Sequence, residues 1–252
     1  MVSAGRQPKK GTTEWLVAAE VRYGGYVANV PQRKGSPHDP SSAVEIKNGG
    51  MIGGDRMSRE HHNYASIYST YLRSFIQRRR RIVVAEVGIL KGTGLAIWSD
   101  LFPDCRVIGF DIDLSYIEDN MDNLRIAGAF WSNSPELHTF DQLAYNGDIV
   151  RDALNGDKID ILIDDGHHSD DAVLNTAKHF VPFLSDDFVY FIEDNEYCFK
   201  QLKRDYPTLI ARNFGELTVV TRRESIISYT IWLSYFWRSR ASKYAKRIVK
   251  RI

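Results

Sequence analysis

The chain has 252 residues, a formal net charge of +1 and 43% hydrophobic residues, which suits one α/β domain with extensions. Its two cysteines, Cys105 and Cys198, form no CxxC motif and no metal-ligand spacing, which excludes a disulfide-rich secreted domain and favours reduced structural thiols in the cytoplasm. The first residues contain no apolar segment of the signal-peptide type, and no apolar run reaches the roughly 18 residues of a membrane-spanning helix.

Residues 1–50 are predicted to form an arm ahead of the main domain. They are rich in Gly, Pro, Ser and Lys, and three prolines fall between residues 31 and 40. Such composition is typical of loops, although residues 15–23 could form a short helix. We expect this arm to be a substrate lid.

Residues 51–75 contain the pattern of a helix that packs on the sheet. Tyr64, Tyr68 and Tyr71 recur with the spacing of one helix face. A stripe of this kind is more often core than a binding face. His61 and His62 precede the helix with no acidic cluster beside them, so they are interpreted as surface or packing residues with at most a contact to substrate.

From residue 82 onward, short apolar strands alternate with helical segments. The predicted strands span residues 82–87, 106–112, 137–140, 159–163, 188–192, 209–212 and 217–221. Helices are predicted after the first four strands, over residues 93–102, 116–127, 150–154 and 169–183. Such alternation predicts right-handed βαβ units. The fold class is therefore predicted to be α/β, a Rossmann-like, doubly wound, mostly parallel seven-stranded sheet with helices on both faces, in a domain spanning residues 51–222.

Two acidic pairs follow neighbouring strands. Asp164 and Asp165 come after the fourth strand, and Glu193 and Asp194 come after the fifth. Ligands of open parallel sheets gather at the carboxyl ends of the strands, so these acids are expected to meet in one crevice. They would repel each other unless a positive charge lay between them, and oxygen ligands favour Mg²⁺, Mn²⁺ or Ca²⁺. Taken alone, either pair could instead be helix-capping or solvated acids.

His168 stands three residues beyond Asp165, on the turn into the next helix. Its imidazole could return over the same crevice and accept a proton there. The alternative is that His168 caps the helix that begins near Ser169.

A glycine-rich loop follows the first strand and opens a helix, with the sequence Glu86-Val-Gly88-Ile-Leu-Lys-Gly92-Thr-Gly94. Its glycines would let the backbone turn tightly and approach a ligand closely. The spacing is neither that of the dinucleotide fingerprint nor that of a P-loop. Glu86 at the start of the loop would repel a pyrophosphate but could bind an ammonium group. A plain strand-to-helix turn explains the same glycines.

Acids also end the next two strands. Asp111 is placed to accept hydrogen bonds from ribose hydroxyls, whereas Asp113 fits the role of a helix cap better. Asp141 and Gln142 follow the third strand and could bind an adenine edge.

Taken in order, these motifs resemble the class I S-adenosylmethionine-dependent methyltransferases. The closest likeness is to the metal-dependent sugar O-methyltransferases of the macrolide type, the mycinamicin and macrocin group, over residues 51–222. Gly53-Gly54-Asp55-Arg56 and His62-Asn63-Tyr64 also resemble that family's stretch ahead of the first strand. The most specific part is the Asp-Asp-Gly-x-His motif together with Glu-Asp.

The resemblance implies a role for each matching residue. It implies cofactor binding by Glu86, Gly88, Gly92, Asp111, Asp141 and Gln142, ligation of Mg²⁺ or Mn²⁺ by Asp165, Glu193 and Asp194, and a general base at His168. The chain departs from the family at His167, where a small residue is usual, and at Lys91 in the glycine loop.

The implied activity is the metal-assisted transfer of a methyl group from S-adenosylmethionine to a hydroxyl of a sugar or glycosylated natural product. The acceptor would be a small molecule or a glycan. Two other classes stay open. One is a non-catalytic S-adenosylmethionine-binding module, and the other is a different metal-dependent Rossmann-fold enzyme of polysaccharide or natural-product biosynthesis.

Residues 223–252 form an aromatic and then basic tail. Trp232, Tyr235, Phe236 and Trp237 precede seven Lys and Arg residues and no acid over residues 238–252. The rest of the chain is net acidic, so no nucleic-acid partner is expected. Aromatic anchors beside a basic segment predict peripheral contact with an anionic membrane. A solvated helix, or a helix packed on a second subunit of a homo-oligomer, explains the same pattern.

Overall fold

The computed structural model describes residues 8–24, 55–59, 62–78, 80–223 and 228–237. Its helices are α1 (Thr13–Arg22), α2 (Ala65–Ile76), α3 (Thr93–Leu101), α4 (Ser115–Ile126), α5 (Gly147–Leu154), α6 (Asp170–Phe180), α7 (Phe199–Asp205) and α8 (228–237). Its strands are β1 (Val83–Val87), β2 (Arg106–Asp111), β3 (Glu136–Thr139), β4 (Ile159–Asp164), β5 (Leu184–Ile192), β6 (Ile210–Asn213) and β7 (Thr218–Thr221).

The seven strands form one sheet in the order β3-β2-β1-β4-β5-β7-β6. The first five in this order run parallel, and β7 is antiparallel to both β5 and β6. Every residue of β1 and β4 is buried, as expected for central strands that are covered on both faces. The predicted Rossmann-like, mostly parallel seven-stranded sheet is confirmed.

Two hydrophobic cores lie on the two faces of this sheet. Large side chains of one core are Trp15, Tyr68, Trp98 and Phe191. Large side chains of the other are Phe110, Phe140, Phe180 and Tyr190. Burial of each such side chain contributes about 1.5–3 kcal/mol. Because α1 contributes to the first core, this part of the N-terminal region packs on the domain, while residues 25–50 lie outside the described residues.

The structure corrects two element boundaries around Pro182. Helix α6 begins after Ser169, whose Oγ accepts a hydrogen bond from the Ala172 amide as predicted. It ends at Phe180 rather than at residue 183, because Pro182 has no amide hydrogen to continue the helix. A single 3₁₀ turn, Val181–Phe183, leads into β5, which therefore begins at Leu184, earlier than expected. Helix α7 was not predicted.

Helix α8 carries the aromatic part of the tail. Trp232 is half-buried against the first core, and the Arg212 guanidinium lies 4.3 Å from its ring centroid. Trp237, one turn later, is 63% exposed. The basic residues 238–252 lie outside the described residues, so membrane contact stays a prediction. None of the helices in the described ranges is long and apolar enough to cross a bilayer.

Candidate functional site

The candidate site lies where the strand order reverses, between β1 and β4. The chain leaves these two strands in opposite directions, which opens a crevice at their carboxyl ends. Val87 pairs with Asp164, and Asp164 pairs with Ile192, so the ends of β1, β4 and β5 are level. This register brings the residues that follow each strand into one crevice.

Arg56 occupies the middle of the acidic cluster. Its Nη2 donates hydrogen bonds to Glu86 Oε1 at 2.6 Å and to Asp165 Oδ2 at 2.7 Å, and its Nε donates to Glu193 Oε2 at 3.2 Å. Burial lowers the pKa of Arg56, but the three carboxylates raise it well above its usual range, so the guanidinium stays charged. The sequence predicted that a positive charge would separate these acids. In the structure, the guanidinium of Arg56 supplies part of that positive charge.

Two tyrosines of α2 bind the acidic pair that follows β5. The Tyr68 hydroxyl donates a short hydrogen bond to Glu193, and the Tyr64 hydroxyl donates to Asp194 Oδ1 at 2.7 Å. Burial raises the pKa of Glu193 well above its usual range and also raises that of Asp194. The tyrosine rings are core residues, as predicted, but their hydroxyls reach the site.

An open group of three side chains remains beside this network. One ligand atom from each of Asp165, His168 and Asp194 lies within 4.8 Å of the other two. The Nε2 atom of His168 is 4.0 Å from Asp194 Oδ2. The two carboxylates fit a divalent cation, and the imidazole beside them is available to accept a proton. Glu193, the third predicted ligand, lies outside this group and is hydrogen-bonded by Arg56 and Tyr68, and its ligation of a cation stays a prediction.

The backbone of Asp194 is also unusual, with φ of +55° in the left-handed region. Asp tolerates this conformation better than most residues, yet such residues cluster at functional sites. The conformation turns the chain at the end of β5, where Asp194 is half-buried near His168 and the preceding Glu193 is fully buried.

The structure separates the two adjacent histidines. His167 Nδ1 lies 3.1 Å from Ser169 Oγ, at the start of α6, whereas His168 lies toward Asp194. His168 is therefore the imidazole on the acid side of the turn.

The turn after β4 is held by buried hydrogen bonds. Asp164 accepts them from Gln142 Nε2 at 2.8 Å and from the Tyr190 hydroxyl at 3.1 Å. Burial raises the pKa of Asp164 to about 6. Gln142 also donates to Thr176 Oγ1 and accepts from the His167 amide. Gln142 thus joins β3, β4 and α6 in the described structure, and its proposed contact with adenine stays a prediction.

His62 was interpreted from the sequence as a surface or packing residue without acids beside it, and this was wrong. Its Nδ1 lies 3.1 Å from Asp194 Oδ1 and 3.4 Å from Glu216 Oε2, and its Nε2 lies 3.7 Å from Asp55. The nearby carboxylate of Asp55, together with those of Asp194 and Glu193, raises the pKa of His62 to about 9. Two of the acids come from positions distant in sequence, so local spacing gave no signal. His61 lies outside the described residues.

The acid–glycine loop packs against this cluster. Glu86 is 1% exposed and also accepts a hydrogen bond from Trp98 Nε1 at 3.0 Å. Gly94 lies so close that an added Cβ would stand 2.2 Å from Glu86 Oε1. Gly88 has φ of +82°, and a Cβ there would stand 2.2 Å from the Asp165 carbonyl oxygen. Only glycine allows this contact between the β1 and β4 loops. Gly92 is also in the left-handed region, at φ +80°.

The ends of β2 and β3 carry the other predicted cofactor residues. Asp111 accepts hydrogen bonds from the Leu90 amide at 2.9 Å and from the Asp113 amide at 3.2 Å. Asp141 accepts one from the Leu143 amide at 2.8 Å. Ile112 and Leu143, beside these acids, are 53% and 61% exposed. Half-buried acids with exposed apolar neighbours fit a nucleoside, whose sugar needs acceptors and whose base needs apolar contact.

The fold resembles that of class I S-adenosylmethionine-dependent methyltransferases of known structure. MycE, a methyltransferase of the mycinamycin biosynthetic pathway in complex with Mg and SAH, is 19% identical with a TM-score of 0.52, over 68% of this chain and 52% of MycE. MycE with Mg, SAH and mycinamycin VI is 23% identical with a TM-score of 0.45, over 62% and 38% of the two chains. Cofactor-bound Rv0187 from MTB is 14% identical with a TM-score of 0.47, over 88% and 94%.

The chain spans about half the length of the first MycE structure. No protein-family model and no curated protein matches the sequence. At 19% identity, the likeness to the first MycE structure shows a shared Rossmann-like fold and no more.

Proposed function

We propose that the protein is an S-adenosylmethionine-dependent O-methyltransferase, assisted by a divalent cation, that acts on a hydroxyl of a sugar or glycosylated natural product. The proposal is carried by the open group of Asp165, His168 and Asp194 at the carboxyl edge of a methyltransferase fold. The acid–glycine loop and Asp111 lie along the same edge, where such a cofactor would bind.

The residues along this edge match the parts of the cofactor. Asp111 would accept hydrogen bonds from the ribose, and Ile112 and Leu143 would contact the base. Gly88 and Gly92 let the loop approach closely. When bound, the cofactor supplies a methyl group on a positively charged sulfur. Glu86 acts within the protein as a partner of Arg56, and the predicted contact between Glu86 and the cofactor's ammonium group is part of this proposal.

Methyl transfer to a hydroxyl requires a base. The acceptor oxygen forms a bond to the methyl carbon while the carbon–sulfur bond breaks, and the hydroxyl proton must leave. His168 would take this proton at Nε2, a contribution of about 10²–10⁴-fold, and Asp194 would stabilise the resulting imidazolium. Asp165 and Asp194 would hold Mg²⁺ or Mn²⁺, which would favour loss of the proton by polarising the acceptor oxygen.

Replacing Asp111 by alanine is expected to weaken cofactor binding at least about tenfold, because ribose hydroxyls would lose a charged acceptor. Calorimetry with S-adenosylhomocysteine measures the effect. Asp113→Ala is the matched control, since Asp113 lies on the same loop and binds the Ser115 amide instead. Equal affinity in the Asp111 variant, or tight binding of NAD, would overturn this assignment.

Turnover in the presence and absence of a chelator tests the whole proposal. Mass spectrometry of the purified protein should detect bound S-adenosylmethionine or its demethylated product. A screen of sugar acceptors should then give methyl transfer that EDTA abolishes and added Mg²⁺ or Mn²⁺ restores. Cofactor binding without any turnover would favour the non-catalytic binding module. Activity that survives exhaustive chelation would contradict the role of the metal.

A further inference from the structure

A surface cleft of about 770 Å³ lies beside the acidic cluster. One wall is the start of α2 with the residues before it, another is the turn between β6 and β7, and a third is α8. His62 and Tyr64 line the cleft and also contact Asp194, so the cleft and the cluster share a wall. None of the residues with a role in the proposed mechanism lines this cleft.

Apart from His62, the charged side chains that line the cleft are negative. Glu196 and Glu216 line it, and no Lys or Arg does so among the described residues. His62, which is the single basic group there, is already engaged by carboxylates from three directions. Its positive charge is therefore neutralised. A phosphate or carboxylate in the cleft would meet Glu196, the lining acid that is not paired with His62, and no unengaged cation from the described part of the chain.

Hydroxyl groups make up much of the remaining lining. Ser66 and Thr70 come from α2, and Ser234 and Tyr235 come from α8. Thr70 and Ser234 donate to backbone carbonyls of their own helices, so their oxygens face a ligand as acceptors, which suits the hydroxyl donors of a sugar. Phe214 and Tyr235 form an edge-to-face pair with ring centroids 5.5 Å apart. Phe214 is buried, so the ring that a ligand meets is that of Tyr235, which can pack against the C–H face of a sugar and attract an ammonium group.

We infer that this cleft binds the methyl acceptor and selects it by charge. It takes an uncharged or amine-bearing glycoside and rejects acceptors that carry a phosphate or a carboxylate, such as nucleotide-linked sugars. This inference rests on the proposed function and narrows its substrate class. The selection comes chiefly from Glu196, which favours a cation over an anion through charge alone, because Glu216 is paired with His62.

Binding of three matched probes tests the inference without requiring turnover. The probes are a methyl glucoside and two analogues in which an amine or a carboxylate replaces the primary hydroxyl group. NMR titration at neutral pH and low salt is expected to give about tenfold tighter binding of the amine than of the carboxylate, with the neutral glucoside between them. Carboxylate binding as tight as amine binding would overturn the inference.

Two variants connect this preference to the cleft. Glu196→Lys is expected to lower the ratio of amine affinity to carboxylate affinity at least about fivefold. The control is Asp122→Lys, an equal charge reversal at a 90% exposed side chain on α4, and it should leave the ratio unchanged. Ser66→Trp, on the exposed face of α2, should fill the cleft and weaken all three probes.

Calorimetry with S-adenosylhomocysteine separates failure of this inference from failure of the proposed function. Probe binding that is unchanged by Ser66→Trp would contradict the inference, even where cofactor binding is intact. Probe binding in the predicted order, without cofactor binding, would support the charge selection of the cleft and contradict the methyltransferase proposal instead.

Discussion

Replacing His168 by alanine is expected to lower turnover at least about a hundredfold and to leave cofactor binding unchanged. The imidazole lies on the acid side of the β4 turn, with Nε2 4.0 Å from Asp194 Oδ2, and 41% of the side chain is exposed. It can therefore reach an incoming hydroxyl, and among the described residues its imidazole takes part in no buried hydrogen bond. Single-turnover kinetics with saturating cofactor, combined with calorimetry, would measure the two effects separately.

The neighbouring histidine provides the control for this experiment. His167 has the same chemistry and a similar exposure, but it lies beside Ser169 at the start of α6. His167→Ala should therefore keep nearly normal turnover. An inactive His167 variant beside a normal His168 variant would show that the base has been assigned to the wrong imidazole. Loss of cofactor binding in the His168 variant would show that its role is structural.

The sequence was sufficient to predict the sheet and the edge on which the site lies. Apolar strands alternate with helices, and the residues that end each strand stand at fixed positions relative to it. The acids after β1, β2, β4 and β5 were therefore expected at one edge, and the strand register places them there. Asp164 lies at this edge as well, and it accepts hydrogen bonds from Gln142 and Tyr190.

The partners of these acids could not be predicted in the same way. Arg56 comes from a stretch with no regular periodicity, 30 residues before Glu86 and 137 before Glu193. Its position depends on tertiary packing, including a hydrogen bond from the adjacent Met57 amide to Glu20 of α1. His62 contacts Glu216, which lies in the turn between β6 and β7. For both residues, the resemblance of residues 53–56 and 62–64 to the methyltransferase family indicated that these segments matter. It did not indicate which acids Arg56 and His62 would contact.

Replacing Arg56 by methionine is expected to lower the free energy of unfolding by about 3–5 kcal/mol, the usual cost of removing one partner from a buried ion pair. The variant would keep the volume of the side chain and leave Glu86, Asp165 and Glu193 without their shared cation. Glu86 and Glu193 are each 1% exposed, so water cannot compensate. Urea denaturation followed by circular dichroism would measure the loss.

Two further variants separate the charge of Arg56 from its packing. Arg125→Met removes an exposed arginine that pairs with Asp122 and should cost no more than about 0.5 kcal/mol. The double variant Arg56→Met with Glu86→Gln should lose less stability than the two single variants together, because each removes a partner of the other. Strict additivity would mean that the pair contributes nothing beyond packing.

Mg²⁺ should raise the unfolding free energy of Arg56→Met more than that of the unaltered protein. Without the guanidinium, both carboxylate oxygens of Asp165 can bind the cation.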